Sequence, residues 1–226
     1  MWGEQWEKYY STQLDSVTGS DLSLNRIKFL LGGDLKVLKN MTVLEVGSGA
    51  GRFTELLAKY AKKLVTIDSS RAIDVNYKNN SHFKNIEFIQ ADIDHLPFDK
   101  NSFDYVVCIG VLQHTIDTKV SIKNLWRQVS NNGHLIIDHY QFKLRYFFST
   151  VELFRFFIRK MSRDKAIKFT RKMVDLFFPI FFKFRNKKII VQILKKIIPL
   201  GIDADGTRNH LDRNTLKEWT YLDTHD

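Results

Sequence analysis

The β-branched run Thr42–Val46 ends on Gly47-Ser48-Gly49-Ala50-Gly51, and a helix-forming stretch, residues 52–60, follows at once. No other feature restricts the fold as tightly. Glycine is needed where backbone takes a positive φ or passes close to a ligand. A strand that turns through such a loop into a helix is the first half of a parallel β-α-β unit. Asp68 closes the next short strand, residues 64–67, and lies 17 residues beyond Gly51. A carboxylate there can accept hydrogen bonds from both hydroxyls of a ribose.

The alternation continues. A helix is expected over 70–79, strands over Ile86–Gln90 and 103–109, a helix over 118–129, a turn at Asn131-Asn132-Gly133 and a fifth strand over 134–138. The 103–109 run (FDYVVCI) is apolar through its middle, as a strand buried on both faces is. Upstream, residues 23–31 read as a helix stopped by Gly32-Gly33. Strands alternating with crossover helices make this an α/β fold with a doubly wound, mostly parallel sheet.

Charge divides the chain. Its 226 residues carry a net +10, but residues 141–200 hold 16 Lys and Arg against only Glu152, Asp164 and Asp175. That segment is therefore +13 and the remainder −3. The same segment holds 12 of the 18 phenylalanines. Three units are expected: 1–140, a cofactor-binding domain with N-terminal helices; 141–200, a basic, Phe-rich insert of two or three helices; and 201–226, a return to the main domain. In the insert Phe147, Val151, Phe154 and Ile158 recur at helical spacing, as do Ile189, Ile193 and Ile197. Pro179 and Pro199 are expected to break or end helices there. Cys108 is the only cysteine, which excludes a disulfide scaffold and a cysteine zinc site and suits a reducing compartment. The N-terminus lacks a signal sequence, and the most apolar stretch, 176–182, has seven residues and contains Pro179. About 20 are needed to span a bilayer. A cytoplasmic protein, able to act at a membrane periphery, is the expectation.

A dinucleotide and S-adenosylmethionine share the loop-plus-acid geometry. Two residues separate them. Arg52 occupies the position where a dinucleotide loop has its third glycine. Glu45 lies two residues before Gly47, where it would repel a pyrophosphate but suit a sulfonium ligand bearing an ammonium group.

The segments VLEVGSGAGRF, VTIDSS, QADIDHLPFDKNSFDYVVCIGVLQHTID and NNGHLIIDHY, in that order, resemble the motifs of class I S-adenosylmethionine-dependent methyltransferases, above all the small-molecule branch with quinone and sugar methyltransferases. The likeness covers roughly residues 41–140 and not the insert. It implies S-adenosyl-L-methionine as methyl donor, with S-adenosyl-L-homocysteine as product. It implies that Glu45, Gly47, Ser48, Gly49, Gly51 and Arg52 surround the methionine moiety. Asp68 and Ser69 would lie at the ribose, Asp92 and Ile93 at the adenine, and Ile109, Gly110 and Val111 beneath the sulfonium. That family's fold has a sixth and a seventh strand. Only 26 residues follow Leu200, so the last strands are expected to be missing and the chain to be truncated.

Methyl transfer from a sulfonium needs alignment of the acceptor and sometimes a base, but no metal and no triad. His114, just past the fourth strand, can act as that base or can order the loop. Asp138 and His139, ending the fifth strand, can be substrate ligand, base or loop residue. Arg52 can pair with the donor's carboxylate or be an exposed helix arginine. Trp6, Tyr9 and Tyr10 can close over the donor or staple a helix. Cys108, inside an apolar strand, reads as core. Amino-methylating DNA enzymes resemble one another in an Asn/Asp-Pro-Pro-Tyr/Phe motif where this chain has Ile109-Gly110-Val111-Leu112, and cytosine enzymes need a Pro-Cys nucleophile. A nucleic-acid acceptor is therefore disfavoured. The insert fits a lid that meets a small-molecule or lipid-like acceptor, touching an anionic membrane through its basic residues, or a helical cap with a solvated basic face. O-methylation ranks ahead of C-methylation. A non-catalytic donor-binding module of a larger assembly, and a nicotinamide oxidoreductase, are the alternatives.

Overall fold

A computed structural model describes residues 14–139, 150–203, 206, 208, 209 and 211–225. The chain forms two compact units, Met1–Tyr140 and Gln141–Asp226.

The first unit begins with a helical turn, α1 (Asp15–Thr18), and helix α2 (Leu22–Leu30). Asp15 is buried and its two carboxylate oxygens accept from Ser23 N, Ser23 Oγ, Ser20 Oγ and Leu24 N. That satisfies otherwise unpaired amides at the start of α2. Five parallel strands follow: β1 (Thr42–Val46), β2 (Lys63–Asp68), β3 (Ile86–Gln90), β4 (Phe103–Cys108) and β5 (Val129–Ile137). Their spatial order is β3-β2-β1-β4-β5. Between them run α3 (Thr54–Leu57), α4 (Ala72–Asn80) and α5 (Thr118–Gln128). Asp117 caps α5 by accepting from the amides of Lys119 and Val120.

Neighbouring residues of each central strand serve opposite faces. Val43, Leu64 and Val107 pack with Ile27, Leu56 and Leu57 on one side. Leu44, Ile67, Val106 and Cys108 pack with Leu125 on the other. Helices on both faces are what a doubly wound sheet requires.

β5 starts at Val129, not at 134. The residues expected to form a turn lie inside the strand as an irregularity, with a register shift against Phe103 and Tyr105. Asn132 takes a φ of 65° there, which asparagine tolerates better than most residues. At Gly133 a Cβ would stand 2.8 Å from the Asp104 carbonyl oxygen.

The second unit contains α6 (Thr150–Ile158), α7 (Arg163–Phe184), α8 (Lys188–Ile197) and α9 (Arg213–His225). Val151, Phe154 and Ile158 of α6 are buried, as their spacing implies, and Phe178 and Phe181 of α7 are fully so. Phe147 lies outside the described residues. Two expectations are corrected. Pro179 sits inside α7 without ending it: it is exposed, so the carbonyl that loses its donor can turn to water, while Val174, Phe178 and Phe181 hold the helix inward. Residues 201–226 belong to the helical unit and not to the sheet. Leu216, Trp219 and Tyr221 of α9 are buried, and α9 packs on α7. Arg155 clamps this end, donating from Nη2 to the Asp223 carbonyl at 2.6 Å, while Arg208 pairs with the Asp223 carboxylate at 2.5 Å. Among the described residues no helix is long and apolar enough to cross a membrane.

Candidate functional site

The chain leaves β1 towards β2 and β3, then returns on the other side of β1 as β4. The carboxyl ends of β1 and β4 therefore flank the point where the winding reverses, the crevice in which open α/β sheets bind ligands. The loop after β1 and the loop after β4 meet there. Gly47 has a φ of 75°, and a Cβ on it would lie 2.3 Å from Cγ2 of Val111. Gly49 and Gly51 are also left-handed, at 54° and 94°. The loop is anchored from below, where the amides of Gly47 and Ser48 donate to the Ile67 carbonyl at 2.8 and 3.0 Å.

Asp68 is tied to the same loop. Its Oδ2 accepts from the Gly49 amide at 2.9 Å, and its Oδ1 from the amide and hydroxyl of Ser70 at 2.9 and 2.7 Å. A carboxylate offers about four acceptor sites. Three are filled by the protein, so one remains for an incoming hydroxyl, fewer than the pair expected of a ribose-binding acid. Ser69 is exposed beside it.

Beneath the loop Glu45 is buried. The hydroxyls of Thr54 and Thr66 both donate to Oε2, at 2.6 and 2.9 Å. Among the described residues no hydrogen bond reaches Oε1. Burial pushes the Glu45 carboxyl up to about 7; the two threonine bonds oppose this and the charge of Asp68 adds to it.

Three asparagines of α4 complete the support. Asn76 donates to Thr54 Oγ1 at 2.8 Å, Asn79 to the Ala50 carbonyl at 2.8 Å and Asn80 to the Gly51 carbonyl at 3.3 Å. A Cβ at Gly51 would stand 2.2 Å from Asn80 Nδ2. The motifs of the sequence do not include these residues. Asparagine is a poor helix former, so three of them at positions 76, 79 and 80, on one helical face, are the signal that marks them.

On the β4 side Ile109 is buried and Gly110 has a φ of 74°, and among the described residues nothing beyond its two chain neighbours lies within 4 Å of where its Cβ would stand. The Gly110 amide donates to Asp138 Oδ1 at 2.6 Å, and Asp138 Oδ2 pairs with Arg26. Asp138 thus orders the loop after β4. Gln113, in the short 3-10 turn Leu112–His114, has both amide atoms buried and, among the described residues, without a partner. No sequence motif marks it either, because only folding creates the burial.

The remaining candidates stand as follows. Asp92, after β3, is exposed and accepts the Asp94 amide on Oδ1 at 2.9 Å. Ile93 is half-buried against the second core cluster. Arg52 donates from Nε to Ser23 Oγ at 2.7 Å and lies over the Phe53 ring. His114 and His139 are exposed. Cys108 is buried, and burial, helped by the charge of Asp138, pushes its thiol up to about 12, which makes it a core residue and no nucleophile. Trp6, Tyr9 and Tyr10 lie outside the described residues.

Residues 44–137 match the family model of a methyltransferase domain. The uncharacterized methyltransferase YcgJ of Bacillus subtilis is 26% identical over 102 residues, covering 43% of this chain and 40% of its own. The ubiquinone biosynthesis O-methyltransferase of Coxiella burnetii is 32% identical over 103 residues, covering 45% and 44%. The tRNA U34 carboxymethyltransferase of Aliarcobacter butzleri is 26% identical over 134 residues, covering 58% and 42%. The chain thus spans less than half the length of these curated relatives.

Proposed function

We propose that this chain is a class I S-adenosylmethionine-dependent methyltransferase that transfers the donor's methyl group to a small or lipid-like acceptor, at oxygen before carbon; the match of residues 44–137 to a methyltransferase-domain family model supports the reading. The observation that carries the proposal is the meeting of the two loops at the reversal point, with Gly47 against Val111 and open space over Gly110. The residues fit the donor. Ser48 Oγ is buried in the glycine loop and has no partner among the described residues, as a hydroxyl awaiting a ligand's polar end would be. Glu45 and Asp68 place negative potential beneath a cationic ligand.

The bound donor supplies an electrophilic methyl group on a sulfonium that departs as a neutral thioether. The chain's own residues bind and orient. Glu45 and Ser48 are suited to the methionine end, Asp68 to one ribose hydroxyl and Asp92 to the adenine amino group. Ile93, Ile109 and Val111 exclude water from the reacting carbon. Asp138 holds the Gly110 amide so that the floor of the crevice keeps its shape. His114 is suited to take a proton from an acceptor hydroxyl.

The name of the Coxiella relative supports oxygen as the acceptor atom, and that of the Aliarcobacter relative keeps a tRNA acceptor as an outcome to be tested. Calorimetry with S-adenosylmethionine, S-adenosylhomocysteine and NAD tests the donor assignment. The first two are expected to bind and NAD is not. Asp68→Ala is expected to abolish binding, since it removes the ribose contact and releases the Gly49 amide together. Binding of NAD alone would overturn the reading. Donor binding without turnover on phenolic, quinol or tRNA acceptors would favour a donor-binding module.

A further inference from the structure

We propose that α8 is a docking element for an anionic lipid bilayer. This goes beyond the methyltransferase reading and stands on the helical unit alone. At 3.6 residues per turn, Val191, Ile190 and Leu194 share one arc of the helix. Val191 is buried and the other two are half-buried, so this arc is the packed side. Ile189, Ile193 and Ile197 follow at four-residue steps on the adjoining arc, and they are 75%, 51% and 67% exposed. The apolar face of α8 is thus about twice as wide as the part the unit uses. The isoleucine stripe whose spacing suggests a core face points outward.

Charge identifies what such a stripe would meet. Lys187 and Lys188 lie at its start and Lys195 and Lys196 at its end, and no acidic residue occurs anywhere from 176 to 202. Among the described residues none of these four lysines has an acidic partner. A second copy docked on the stripe would bring like-charged lysines together with nothing to neutralise them. A nucleic acid would engage the lysines but offer nothing to the isoleucines. A bilayer carrying anionic headgroups satisfies both, with isoleucines at the acyl boundary and lysines at the phosphates. At about 15 Å the helix is too short to span, so it lies in the interface plane. Leu153, Phe156 and Phe157 of α6 are also exposed in this unit and give it further apolar surface.

The test is sedimentation of the full chain with vesicles of phosphatidylcholine alone or mixed with phosphatidylglycerol. Binding is expected to the mixed vesicles only and to weaken as salt rises. The triple substitution Ile189→Ser, Ile193→Ser, Ile197→Ser is expected to lower partitioning by more than about tenfold while S-adenosylmethionine binding stays unchanged and melting shifts by no more than a few degrees, because more than half of each side chain is exposed. Replacing the four lysines with glutamine is expected to weaken binding and flatten its salt dependence. The proposal is overturned if the chain ignores mixed vesicles at low salt or if the triple variant binds them like the wild type. It is equally overturned if the stripe holds a dimer in sedimentation velocity that the triple variant dissolves. Loss of donor binding in the wild type would instead refute the methyltransferase reading and leave the vesicle result standing.

Discussion

Glu45 makes the stability of the first unit depend on pH in an unusual direction. Its carboxyl rises from an ordinary 4.5 to about 7, chiefly because it is buried. The folded state therefore holds a proton that the unfolded chain gives up, and the associated stability is fully present below about pH 4.5 and lost as pH rises through 7. At about 1.4 kcal/mol per unit, the gap is worth about 3 kcal/mol, spent above pH 7 on keeping a charge away from water. Glu45→Gln removes the charge and keeps an oxygen for the Thr54 and Thr66 hydroxyls. The variant is expected to match the wild type near pH 4 and to exceed it by up to about 3 kcal/mol at pH 8 and above, measured by urea denaturation across that range. Parallel pH profiles for the two proteins would refute the reasoning. Donor binding supplies a second reading of the same proton. A cation beside Glu45 favours the carboxylate, so calorimetry in buffers of different ionisation enthalpy should show proton release on S-adenosylmethionine binding below pH 7 that disappears in Glu45→Gln. Release of equal size in the variant would show that the proton comes from elsewhere.

Two further substitutions test the crevice. Gln113→Leu replaces an amide with two buried, unpartnered atoms and is expected to stabilise the free protein by about 1–3 kcal/mol, read as a rise of several degrees in Tm; a fall would mean that the amide is paired in solution. Gly47→Ala puts a methyl 2.3 Å from Val111 Cγ2 at a left-handed φ and is expected to cost about 1–3 kcal/mol and to weaken donor binding. Adding Val111→Ala should recover part of the stability, and no recovery would show that backbone strain outweighs the clash.

What the sequence disclosed and what it hid divide along a physical line. Periodicity and glycine placement are local, so β1, the loop from Gly47 to Gly51 and the acid at Asp68 are legible in the order of residues alone. So is the reversal of winding, because the crossover lengths leave few topologies. Features that depend on which side of an element meets a neighbour are not. The spacing of Ile189, Ile193 and Ile197 defines a stripe and says nothing of its direction; Val191 won the inward side and the stripe was left outside. Pro179 breaks a helix by a local rule, but its exposed side and the buried phenylalanines beside it reverse the outcome. Asn76, Asn79, Asn80 and Gln113 act across 22 or more residues or through burial alone, which no local pattern records.

The uneven charge follows the same logic of ligand sign. A crevice suited to a sulfonium and an ammonium gains from negative groups at its floor, and Glu45 and Asp68 sit at the carboxyl ends of β1 and β2 within a unit, residues 1–140, that carries no net charge. Its 16 Lys and Arg are matched by 16 Asp and Glu, so no net positive charge opposes those two carboxylates. The chain's whole excess of +10 falls on residues 141–226, where it leaves that balance intact and gives the helical unit a charge suited to the opposite kind of surface. The +13 of residues 141–200 and the −3 of residues 201–226 both lie in the helical unit, and moving lysines from it into residues 1–140 should weaken donor binding and vesicle binding together.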